Sequence, residues 1–196
     1  MVLIKTIKTY PVTCAVMALL ALIYLLMTLA GGSQEEGVLM AFGANYAPAV
    51  RNGEYWRLLT CNFLHMGFGH LFLNSVAILS LGGLAESLFR KVKTVMLFLL
   101  CGVFSALASF WFSPEESISA GASGVVFGLA GAIILYVWKN PRLRSNGMVS
   151  SLAVLVALNL ALGFAMDFID NAAHLGGLIS GLVIGGILRV YDVGKS

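Results

Sequence analysis

Four side chains in a very apolar sequence have the types and the spacing that acyl-transfer chemistry needs: Ser123, His174, His70 and Asn74. Ser123 lies in Ala120-Gly121-Ala122-Ser123-Gly124-Val125-Val126-Phe127-Gly128, near the start of an apolar stretch. A serine among glycines in such a stretch commonly serves packing, letting two helices approach closely, so alone it signals little. The histidines change the weighing. His70 and Asn74 are four residues apart and project from nearly one helical face, and His174 opens another apolar stretch. A Ser-His pair is the minimum for nucleophilic acyl transfer: the imidazole takes the hydroxyl proton as general base and returns it to the leaving amine. His70, Asn74 and the Ser123 backbone N–H are donors of the kind that hold a tetrahedral oxyanion. Asp170, four residues before His174, has the chemistry of a third member. A helix N-cap is its competing role, with Asn171 as rival for that position, and a dyad is the reading taken. The G-x-S-x-G elbow of soluble hydrolases needs Gly where this chain has Val125, and no strand precedes the serine.

These residues need elements to position them. Of the 196 residues 59% are hydrophobic and 11% charged, above the roughly 45 to 50% apolar content of soluble domains. The expectation is an all-α, polytopic membrane protein, a six-transmembrane-helix bundle. Its spans fall at about Pro11 to Ala30, His70 to Leu88, Thr94 to Phe112, Ala122 to Trp138, Met148 to Met166 and Ala172 to Val190. No linker, low-complexity tract or fixed-period repeat divides the sequence, so residues 1–196 read as one domain. The first apolar run is too long for a cleaved signal peptide and reads as an anchor. The net charge of +3 arises from short basic clusters between apolar runs, which speaks for a topological role and against a nucleic-acid partner. Cys14, Cys61 and Cys101 are too few and too scattered for a disulfide framework or a zinc site.

Charge orients the bundle. Lys5, Lys8, Arg90, Lys91, Lys93, Lys139, Arg142, Arg144, Arg189 and Lys195 fall on one side, and most acidic residues on the other. The positive-inside rule makes the basic side, with both termini, cytoplasmic. Helices two, four and six then enter from outside, and His70, Asn74, Ser123 and His174 share one depth just below the outer face. Ionisable and amide groups at that depth normally face the bundle interior and mark function. Two small-residue stripes, Gly124/Gly128/Gly131 and Gly177/Gly181/Gly185, are expected to pack together and bring Ser123 to His174. The long connection Gly31 to Gly69 is rich in apolar and aromatic residues and reads as an interfacial first loop.

Other polar residues have structural readings. His65 reads as a hydrogen-bonding loop residue, Glu86 as an i, i+4 partner of Arg90, and Asn159 as the donor of an interhelical hydrogen bond. Arg57 reads as a partner of Glu54 or of lipid phosphate, with Trp56 at the interface.

Four motifs in order, Trp56-Arg57, His65-x4-His70-x3-Asn74, Gly121-Ala122-Ser123-Gly124 and Ala173-His174-x2-Gly177-x3-Gly181, resemble those of the rhomboid family of intramembrane serine proteases. The resemblance covers essentially all six helices. It implies Ser123 as nucleophile, His174 as base, and His70, Asn74 and the Ser123 amide as oxyanion hole, with no metal and no cofactor. It departs from the family at Phe127, where rhomboids often carry Tyr; the ring that stacks on the catalytic imidazole is kept and the hydroxyl is lost. The implied partners are membrane lipids and single-pass transmembrane protein substrates, cut near the outer face where Gly or Pro weakens the substrate helix. A water-accessible site gated by the first loop or by helix five with Phe164 is implied as well. A chain of this kind without a transit peptide suits a prokaryotic plasma membrane. The rivals are a transporter or channel, for which an ionisable path to the cytoplasmic side is missing, and a noncatalytic binder of the same fold.

Overall fold

The computed structural model describes residues 8–144, 147–164, 166 and 169–188. Five long apolar helices dominate: α1 (Pro11–Leu29), α2 (Phe68–Phe112), α3 (Ser123–Lys139), α4 (Met148–Phe164) and α5 (Asn171–Ile187). By length and composition α1 and α2 are able to cross a membrane, while α3, α4 and α5 are shorter apolar helices. Where the expected spans lie in described residues, their ends agree closely; Lys5, Asp167, Arg189 and Lys195 lie outside the described residues.

The connection expected between the second and third spans shrinks to a single residue. Within the 45 residues of α2, Arg90 alone leaves helical geometry, at φ 65° and ψ 166°, a region that non-glycine residues occupy only when their surroundings hold them there. The two arms fold back on each other, since a Cβ added at Gly82 would lie 3.5 Å from the Phe98 ring. A straight helix would separate those positions by about 24 Å. The arms and α3 enclose the main core around Ile78, Ala85, Leu97, Cys101, Leu129 and Ile133.

Glu86 does more than the i, i+4 pairing with Arg90 expected of it. It is buried, and its carboxylate accepts hydrogen bonds from Val12 N–H (3.1 Å), Thr13 N–H (2.7 Å) and the Thr13 hydroxyl (2.8 Å). Helix α1 begins with Pro11 and has no side-chain cap of its own. A carboxylate more than seventy residues away fills that position and suits the positive end of the helix dipole.

The segment between α1 and α2 is structured, with short helices Glu36–Phe42, Ala47–Arg51 and Arg57–Thr60 and a 3₁₀ turn at Cys61–Phe63. Met27, Leu39, Ala44, Leu64 and Ala120 form a second small core beneath it. Arg57 is buried and binds Glu54 through Nε at 2.7 Å, while Nη1 donates to the carbonyls of Met40 (2.9 Å) and Ala44 (3.1 Å). Its guanidinium also lies 4.7 Å from the Trp56 ring centroid, so the Trp-Arg pair staples the loop. A two-residue antiparallel ladder, Asn45–Tyr46 with Ile118–Ser119, ties this loop to the approach to Ser123. The sequence reading has no strand before Ser123, and Ile118–Ser119 corrects it; such a short pairing carries no hydrophobic periodicity by which a sequence announces a strand.

Helix α4 is the loosest element. Gly163 is its one buried residue, and Val154, Leu155, Leu158, Leu162 and Phe164 are exposed. Among the described residues Asn159 makes no interhelical bond; it is exposed and donates to Leu155 O at 2.8 Å within its own helix. One helical turn offers that acceptor without any partner helix.

Candidate active site

Ser123 is the first residue of α3, reached through Gly121. Gly121 has φ +144°, and a Cβ there would sit 2.7 Å from His70 Cε1, so both backbone conformation and space demand glycine. Its N–H donates to Cys61 O at 2.9 Å, which locks the turn before Ser123 to the loop. As the first helical residue, Ser123 has an N–H without an acceptor in the helix ladder, at the positive end of the dipole.

The expected glycine stripes meet. Gly177 and Gly181 of α5 abut the backbone of Gly124 and Gly128 in α3, and a Cβ at Gly185 would lie 2.8 Å from Ala132 Cα. The hydroxyl of Ser105 on α2 donates to Ala173 O at 2.9 Å, closing the third side. Backbones this close leave their first-turn side chains within reach of one another. His174 Nε2 lies 2.9 Å from Ser123 Oγ. The Phe127 ring stacks on the His174 imidazole with centroids 4.3 Å apart and planes 13° apart, the stack that the rhomboid resemblance implies. His174 is buried.

Asp170 resolves to the N-cap. Its Oδ1 accepts from Ala173 N–H at 2.9 Å and from the Ser113 hydroxyl at 2.9 Å, and Oδ2 accepts from the Ser109 hydroxyl at 2.5 Å. With its carboxylate so engaged, it holds the start of the His174 helix and makes no hydrogen bond to the imidazole. Ser109 and Ser113 are functional candidates that the sequence reading missed. Their spacing with Ser105, every fourth residue on one face of α2, was the available signal.

Asn74 is buried, and its Nδ2 donates to His70 O at 3.1 Å. That bond uses one of two N–H groups. His70 packs against Gly121, two residues before Ser123, so His70 lines the same approach. His65 is not the loop hydrogen-bonder expected: it is fully buried, neither ring nitrogen meets a protein partner among the described residues, and it sits edge-on to His70 with centroids 5.1 Å apart. Burial pushes its imidazole down to about 3, with the neighbouring His70 adding to the shift. A neutral ring is the form that an apolar niche tolerates. Among the described residues no cluster of His, Cys, Asp and Glu is able to hold a metal ion, and Cys14, Cys61 and Cys101 are free thiols.

Comparison with known proteins gives the same direction. The Rhomboid domain profile matches residues 52–191. The chain is 37% identical over 177 residues to the rhomboid protease GluP of Bacillus subtilis (strain 168), covering 90% of this chain and 34% of that protein. It is 37% identical over 150 residues to RHOMBOID-like protein 4 of Arabidopsis thaliana, covering 76% and 38%. The putative rhomboid protease YdcA of Bacillus subtilis is matched nearly end to end, at 30% identity over 178 residues with 91% and 88% covered. The chain thus spans between a third and a half of the length of the first of these relatives and most of the last. With the matched region taking in the Trp-Arg loop, the serine turn and the histidine helix together, the chain belongs to the rhomboid family.

Proposed function

We propose that this membrane protein is an intramembrane serine endopeptidase working through a Ser123–His174 dyad. The observation that carries the reading is the 2.9 Å approach of His174 Nε2 to Ser123 Oγ beneath the Phe127 ring. His174 removes the hydroxyl proton as Oγ attacks the scissile carbonyl, and gives it to the departing amine as the C–N bond breaks. Water then hydrolyses the ester by the same proton route in reverse. The Ser123 N–H, the second N–H of Asn74 and the His70 ring serve the oxyanion. No metal or cofactor enters the scheme.

In this reading residues 1–196 form one domain that crosses the membrane six times, the two arms of α2 counting separately, with both termini cytoplasmic in a prokaryotic plasma membrane. The 31–69 segment lies in the outer interface. Substrates are single-pass transmembrane proteins with the N-terminus outside, cut in the outer half of the bilayer after a small residue. Local Gly or Pro lowers the cost of unwinding them. The exposed face of α4 and its single buried residue support this helix as the lateral gate.

Covalent labelling with a fluorophosphonate tests the reading. Label on Ser123, lost in both Ser123→Ala and His174→Ala variants that keep the parent's melting temperature, is the expected result. A folded protein that takes no label, or takes it at another serine, would overturn it.

A further inference from the structure

An apolar groove of about 580 Å³ lies on the opposite face of α3 from His174, between α1 and the second arm of α2. Val12 and Val16 form one wall, Val95 and Leu99 the other, and Val125 of α3 the floor. Val95 and Leu99 are 40% and 41% exposed, so the groove opens sideways, where lipid would lie. Among the described residues its one charged lining residue is Lys91, at the Pro11 end. The acid nearest in sequence, Glu86, is buried at the same end with its carboxylate engaged by Val12 N–H, Thr13 N–H and the Thr13 hydroxyl.

We infer that this groove is a binding site for one anionic phospholipid, an acyl chain lying along α1 and the phosphate meeting Lys91. Depth supports a lipid over a peptide. Along α1 the lining runs from Pro11 to Leu20, about 14 Å of helix, which is one leaflet of a hydrocarbon core about 30 Å thick. The other end is bounded by Leu59 and Phe63 of the structured loop, so a spanning helix would run into it while a single chain fits. A lysine at the mouth of a trough that is apolar but for Asn62 complements a headgroup phosphate and an acyl tail together.

Native mass spectrometry of the full chain, released from detergent with dioleoylphosphatidylglycerol or dioleoylphosphatidylcholine, tests the inference without reference to proteolysis. The anionic lipid should be retained about five-fold more tightly, the value of one lysine at a membrane surface. Lys91→Gln, at an exposed position, should bring the two lipids to parity. Val16→Trp should weaken both lipids, and Leu99→Trp, on the exposed wall, repeats that test should the first variant fold poorly. Ser123→Ala should bind like the parent, which separates this outcome from that of the protease reading. Equal retention of the two lipids by the parent, a preference that survives Lys91→Gln, or a photocrosslinker at Leu99 that captures a transmembrane peptide in the presence of lipid would overturn it.

Discussion

The α3–α5 seam and helix α4 are made from similarly apolar sequence, yet they are built for opposite ends. Along the seam, glycine removes every side chain that would separate two backbones, and Gly177 and Gly181 abut Gly124 and Gly128 directly. On α4, bulky Leu and Val residues face outward and only Gly163 is buried, against Asn171 at the start of α5. Hydrophobicity alone does not hold helices together in a lipid-like solvent, where close packing and hydrogen bonds do that work. The Ser123–His174 pair rides on the packed seam, whereas α4 meets the start of α5 through Gly163 and the main core only through partly buried Met148, Val149, Leu152 and Val156.

The largest contrast should come from adding bulk. Gly181→Val places methyl groups where the Gly128 carbonyl now lies, and because the neighbour is backbone the helices must separate. A loss of about 3 kcal/mol or more and of all proteolysis is expected, read by thermal unfolding in detergent and by cleavage of a model substrate. A variant as stable as the parent would show that the seam is not the close contact described. Next in size is Glu86→Ala, which strips three donors of their acceptor at the buried start of α1. About 2 to 4 kcal/mol should be lost, while the dyad, remote from it, keeps its turnover at temperatures where the protein remains folded.

The double variant Ser109→Ala, Ser113→Ala sharpens the comparison from within the seam. It frees the Asp170 carboxylate from α2 while leaving the N-cap bond to Ala173. Turnover should fall about ten-fold with little change in KM, since about 1 Å of misplacement at a reacting group costs up to about a hundred-fold. Restoration by Ser109→Thr, Ser113→Thr would mark positioning by hydroxyl as the cause. Smallest is the effect on the other side: Val154→Ala with Leu158→Ala, both exposed on α4, should move stability by no more than about 0.5 kcal/mol. A loss of several kcal/mol would mean that α4 is packed as tightly as the seam.

Much of the site was legible because helical spacing is regular. The glycine stripes and the Ser123–His174 meeting follow from residues three or four apart placed at one depth, and the Phe127 stack from the resemblance to the rhomboid family. What escaped the sequence depends on partners distant in the chain. Glu86 finds Thr13, Asp170 finds Ser109 and Ser113, and Asn45 pairs with Ser119, pairings that no local pattern encodes. Arg90 was read as part of a loop, whereas one residue in an unusual conformation turns the chain between two helices. His65 was misread for the opposite reason: an imidazole in a loop ordinarily finds a hydrogen bond, and this one is enclosed beside His70 instead.

The central claim is that Ser123 and His174 act as one unit. It is tested most directly by turnover of purified, membrane-reconstituted parent, Ser123→Ala, His174→Ala and the double variant on one transmembrane substrate. Each single variant should lose all but a trace of activity, and the double variant should be little worse than either, because removing one partner already disables the other. Substantial turnover by Ser123→Ala, or losses that multiply in the double variant, would contradict the account.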